Sequence, residues 1–62
     1  MLHAFFYSLP LNTQFIHKGK RYIKIGEELV KDLDEKEYLF ESHYGCLVSE
    51  ALKDTVTARL SD

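Results

Sequence analysis

The groups with chemical reach in this chain are few and far apart: Cys46, the histidines His3, His17 and His43, and the neighbours Ser49 and Glu50. His43-x-x-Cys46 has workable metal-ligand spacing, since imidazole and thiolate both bind zinc. A closed structural zinc site takes about four ligands, and only His3, His17 and distant carboxylates are left to complete it. The same imidazole and thiol offer a base beside a nucleophile, as do Glu50 and Ser49. Neither pair lies in a nucleophile elbow or beside an oxyanion loop, and so short a chain rarely encloses a pocket that excludes water. The sequence therefore predicts no catalytic residue, no metal and no cofactor. Cys46 reads as a small core residue and the histidines as surface or edge groups.

Binding chemistry is better represented. Lys18, Lys20, Arg21 and Lys24 cluster with His17 around Tyr22. Basic groups interleaved with an aromatic on a β-surface are what a single-strand or RNA platform uses. Against this, the net charge is −2 and no second aromatic sits beside Tyr22 to form a stacking pair, while charged turn and edge residues also discourage aggregation between sheets. Downstream the bias reverses. Glu27, Glu28, Asp32, Asp34, Glu35, Glu37 and Glu41 make the middle of the chain acidic, with Tyr38, Phe40 and Tyr44 beside them. An acidic surface set against a basic hairpin can steer toward a charged partner, and tyrosine is enriched at binding hot spots. A solvated acidic face is the plainer reading, and in so small a protein some of the aromatics must be core. Glu35, Glu37, Tyr38, Phe40 and Tyr44 are the first candidates for a partner-binding surface. Lys18, Lys20, Arg21, Tyr22 and Lys24 are the alternative, for nucleic acid.

Sixty-two residues, 45% hydrophobic and 13% aromatic, are one domain with enough apolar content to fold, near the lower size limit for folding without disulfides or metals. Self-association or docking onto a larger partner is an expectation at that size. The lone cysteine rules out an internal disulfide framework and points to a reducing compartment. The apolar run Leu2–Tyr7 is too short to span a membrane and lacks the basic start of a signal peptide, so the expectation is a soluble intracellular protein with no membrane partner.

The elements that must position these groups read as strands. Leu2–Tyr7 is an apolar first strand or arm, within residues 1–8, that packs over the core or joins protomers. Leu9-Pro10-Leu11-Asn12 is a break, because proline cannot donate to a ladder and Asn12 tolerates the left-handed backbone of tight turns. Thr13–Ile25 is a hairpin about Lys18-Gly19. A two-residue turn sets Phe15 against Tyr22, and a three-residue loop sets Phe15 against Ile23; the sequence leaves both open. Core side chains are expected from Phe15, Ile23 and Ile25. Leu29–Leu33 and Glu37–Glu41 are further strands around a charged Asp34-Glu35-Lys36 turn, with a single helix over Glu27–Phe40 as the competing reading. Ser42–Gly45 reads as a loop. Val48, Leu52, Val56 and Leu60 recur at helical spacing, whereas Thr55–Leu60 alternates like a strand. The resolution adopted is a helical turn over Ser49–Lys53, with Ser49 as its cap, followed by a closing strand.

Leu9-Pro10-x-Asn12-Thr13-x-Phe15, followed by Gly19-Lys20-x-Tyr22-x-Lys24, resembles the start of short proteins encoded by tailed bacteriophages, roughly Leu-Pro-x-Gly-Thr-x-Phe, a turn, then Gly-Lys-x-Tyr-x-Lys. The resemblance covers Leu9 to Ile25 and leaves the tail unmatched; Asn12 stands where glycine is expected. It implies a small β fold and a viral origin, with action by contact on a host protein in the host cytoplasm.

The sequence thus predicts a mainly β fold: a curled sheet of four or five strands or an SH3-like barrel, with one short helical turn near the C-terminus. It predicts a non-catalytic, phage-type binding protein that modulates or inhibits a host protein. The alternatives are a small nucleic-acid-binding module built on the basic hairpin and a self-associating structural subunit.

Overall fold

The computed structural model describes residues 1–56. The chain is mainly β. Strands β1 (Leu2–Phe5), β2 (Gln14–His17), β3 (Lys20–Lys24), β4 (Leu29–Asp32), β5 (Glu37–Leu39) and β6 (Gly45–Val48) form one sheet in the order β1-β6-β2-β3-β4-β5, and every pairing is antiparallel. Single 3-10 turns at Phe6–Ser8 and Glu50–Leu52 complete the pattern; there is no α-helix among the described residues.

Of the two predicted shapes, the open curled sheet is the one formed. β1 and β5 are opposite edges of the sheet, yet the rings of Phe6 and Phe40, which directly follow them, have centroids 5.4 Å apart. The Tyr7 N–H likewise donates to the Ser42 carbonyl at 3.0 Å. Only strong curl brings the two ends together.

Six strands stand where four or five are predicted, for two reasons. The Leu2–Phe5 segment is a ladder strand rather than a loose arm, paired along its length with β6 from Leu2↔Val48 to Phe5↔Gly45. And β6 itself begins at Gly45, in what reads as a loop, and inserts between β1 and β2. The helix considered over Glu27–Phe40 is replaced by β4, a turn and β5. The expected turn near Ser49 is present, with the Ser49 hydroxyl accepting from the Ala51 N–H at 3.3 Å. Most of the expected closing strand, over Thr55–Leu60, lies outside the described residues.

The opening hairpin takes the two-residue register: Phe15 pairs with Tyr22 and His17 with Lys20. Lys18 (φ 50°) and Gly19 (φ 78°) are both left-handed, as the primed turns whose twist matches that of the flanking strands require. Asn12 (φ 68°) turns the chain into β2, its N–H bonded to the Lys24 carbonyl at 2.7 Å. This register sends Phe15, Tyr22 and Lys24 to the core side of the sheet and Ile16, Arg21 and Ile23 to the other.

The buried cluster is Ala4, Phe6, Leu9, Phe15, Val30, Phe40, Cys46, Val48 and Val56. Ile23 and Ile25, expected in it, are half-buried on or near the outer side. Aromatic packing dominates. Phe40 has ring centroids of Phe6, Phe15, His17, Tyr22 and Tyr44 within 5.0–5.7 Å, in the tilted and edge-on geometries that aromatic quadrupoles prefer.

Candidate protein-binding surface

The β4–β5 hairpin is shaped by one carboxylate. Asp32 ends β4, and its Oδ1 accepts from the backbone N–H groups of Asp34 (2.9 Å) and Lys36 (3.0 Å). Its Oδ2 accepts from the Tyr38 hydroxyl at 3.0 Å. This is the side-chain mimicry of a turn that aspartate provides, and it leaves Glu35 to take the left-handed position (φ 63°). The Lys36 N–H, with the Tyr38 hydroxyl and the Asp34 N–H, holds the Asp32 carboxyl below the usual carboxylate range. The same carboxylate pushes the Tyr38 phenol up. Tyr38 is thereby fixed in direction, against Tyr22 at 6.0 Å, while remaining 39% exposed.

Glu35, Glu37 and Tyr38 are brought together on this hairpin and are exposed. Glu35 reaches Lys31 Nζ at 3.4 Å, a surface pair of little energetic weight, and Glu37 stands opposite Lys31 across the ladder. Phe40, grouped with them from the sequence, is 6% exposed and is the hub of the aromatic core; it is not part of any surface. Tyr44 is half-buried, its ring stacked on His17 at 5.0 Å. Its hydroxyl end bonds the Glu41 carboxylate, which pushes the phenol up. Two residues on the exposed hairpin were not singled out from sequence, Leu33 (78% exposed) and Leu39 (80% exposed). The signal for Leu39 was present: in Tyr38-Leu39-Phe40 a strand's period of two must turn the middle side chain away from its neighbours.

The basic set is not assembled into one face. Lys18, Lys20 and Arg21 are exposed, but Lys20 and Arg21 point to opposite sides of β3. Both line a shallow cleft of about 150 Å³ with the carboxylates of Asp32 and Asp34. Tyr22 packs on Phe15 and Phe40. Lys24 is 5% exposed. Its Nζ donates to the carbonyls of Phe6 (3.0 Å) and Leu9 (2.7 Å) and lies 4.6 Å from the Phe6 ring centroid. Burial pulls this amine below the ordinary lysine range, with Glu27 acting the other way. Lys24 is thus an internal tie between β3 and the loop after β1, withdrawn from any nucleic-acid surface.

The groups considered for chemistry are separated in the same way. Cys46 is fully buried, and burial pushes its thiol up to about 12. His43 is exposed, with Nε2 4.0 Å from Glu41. His17 Nδ1 donates to the Gly45 carbonyl at 2.8 Å, and the Ser49 hydroxyl is occupied by its cap. No three His, Cys, Asp or Glu side chains converge on a metal-sized site among the described residues. No helix among them is long and apolar enough to cross a membrane. No protein family, curated protein or solved structure matches the chain.

Proposed function

We propose that this is a non-catalytic binding protein that modulates or inhibits a host protein through the β4–β5 hairpin. The observation that carries the reading is the exposure of β5: Glu37, Tyr38 and Leu39 are all exposed, and acidic Glu35 and Glu41 flank them. Period two sets Tyr38 on one side of β5 and Glu37 with Leu39 on the other. The hairpin edge therefore presents a positioned aromatic and an exposed aliphatic group, one on each side, flanked by carboxylates, which are residue types used in protein recognition. The resemblance of Leu9–Ile25 to tailed-phage proteins supports a bacterial host protein as the partner and the host cytoplasm as the place of action. Lys24 and Tyr22, which the nucleic-acid reading needs at the surface, are committed to the core side, and this favours the protein-binding reading.

The test is capture from bacterial lysate by the wild type and by the doubly charge-reversed Glu35→Lys/Glu37→Lys variant. Both residues are exposed, so the variant keeps its fold, which circular dichroism checks. Loss of the captured partner on charge reversal is expected. An unchanged set of captured proteins refutes the proposal.

A further inference from the structure

The edge of β5 carries an unused hydrogen-bonding ladder. In the β4–β5 pairing, the Asp32 N–H donates to the Lys36 carbonyl and the Phe40 N–H to the Glu28 carbonyl. These pairs share the register of Val30↔Tyr38, so Glu28, Val30 and Asp32 are the hydrogen-bonded positions. Antiparallel ladders alternate; the N–H and C=O groups of Glu37 and Leu39 therefore turn away from β4. The neighbouring ladder agrees, because the Leu29 carbonyl accepts from Ile25 and Gly26 on the β3 side. β5 ends the sheet order, and no described strand covers its outer side.

We infer that this edge accepts one extended, basic segment of a partner protein as an added strand, which deepens and rests on the binding role proposed for this hairpin. Edge strands bind peptides by continuing the sheet, with main-chain hydrogen bonds for affinity and alternate side chains for specificity. The residues opposite Glu37 and Leu39 lie two apart on the incoming strand. The first is lysine or arginine and the second apolar, both on the outer side of the sheet, where Leu39 is 80% exposed. Charge decides the occupant. Pairing β5 with its own copy over Glu37–Leu39 sets Glu37 against Glu37, Glu35 against Glu41, or Glu37 against Glu41, and like charges directly opposite are destabilising. The carboxylates that exclude a second copy attract a basic strand.

The probe is a blocked eight-residue peptide alternating lysine and valine, with a glutamate–valine peptide as control, followed by amide-resolved NMR and hydrogen exchange on the full chain. Near saturation the Glu37 and Leu39 amides are expected to exchange roughly tenfold more slowly, since they become protected only in the bound state. The acidic peptide leaves them unchanged. Leu39→Pro deletes an outward donor without touching the β4 ladder, and weakens lysine–valine binding roughly fivefold, the worth of about one hydrogen bond. Where that variant loses its dispersed spectrum, protection in the wild type decides alone. Protection by the acidic peptide, protection of His3 and Phe5 at the other edge instead, or peptide-free self-association through β5 each overturns the inference. If Glu35→Lys/Glu37→Lys abolishes partner capture while Leu39→Pro leaves it intact, strand addition fails and the side-chain surface stands. If neither variant alters capture, both fail.

Discussion

Replacing Lys24 with methionine tests the least expected feature of the core. The amine bridges the Phe6 and Leu9 carbonyls at 3.0 and 2.7 Å, holding the loop that carries Phe6 and Leu9 into the cluster. Hydrogen bonds to a charged group are worth about 1.5–3 kcal/mol each, so roughly 3–6 kcal/mol of interaction is removed. Against that stands the desolvation cost of a buried ammonium, several kcal/mol, which the thioether no longer bears. The net expectation is a destabilisation of about 2 kcal/mol, because the buried Leu9 carbonyl loses the lysine donor and an unmet polar group keeps its full desolvation cost, while the Phe6 carbonyl keeps only the Leu9 N–H at 3.1 Å. A chain of this length has a total stability of about 3–9 kcal/mol, so the loss is a large fraction. It corresponds to a fall in Tm of about 8–16 °C. Thermal and urea melts followed by far-UV circular dichroism read it directly, which suits a chain without tryptophan. A methionine variant that melts at or above the wild-type temperature refutes the reasoning: the lysine would then be a burial liability and not a tie.

Other perturbations have defined signs. Burial pushes the Cys46 thiol up to about 12, above the ordinary thiol range; its folded-state pKa is raised, so the stability it contributes is complete below about pH 9 and is lost as pH rises toward 12. Denaturation midpoints across that range are expected to fall more steeply for the wild type than for Cys46→Ala; parallel slopes contradict this. Asp32 is shifted the other way, so its contribution is present above the ordinary carboxylate pKa and is lost as pH falls through the lowered folded value. Asp32→Asn is expected to flatten the acid limb of a stability profile, and an unchanged limb rules out the carboxylate as its source. At Asn12, where φ is 68°, Asn12→Ala is expected to cost about 1–2 kcal/mol from left-handed strain. Asn12→Gly should fall within about 0.5 kcal/mol of wild type because glycine adopts that conformation freely, and equal losses for the two exclude backbone strain as the cause.

Much of the fold is local enough to be read from residues. Lys18-Gly19 between apolar runs marks the hairpin, Asn12 marks a left-handed break, and Asp34-Glu35-Lys36 marks a charged turn, because turn chemistry is set by a few adjacent side chains. Period two in Leu29–Leu33 and the β-rich composition identify the class. β6 was not legible, since a short strand buried on one side and starting at glycine carries almost no periodic signal. Its place between β1 and β2 is a long-range choice.

Sequence alone determined the hairpins, the mainly β class and the acidic character of the middle segment; these follow from backbone preference and charge, which act over a few residues. Tertiary structure decided which groups are available. The curl that brings Phe6 and Phe40 together converts Phe40 from a candidate anchor into the centre of the core and draws Lys24 inward onto two carbonyls. It also leaves β5 at an edge with Glu37 and Leu39 turned outward. Side-chain identity states what a residue can do. Only the curl of the open sheet, driven by burial of its aromatic side, selects which residues stay exposed.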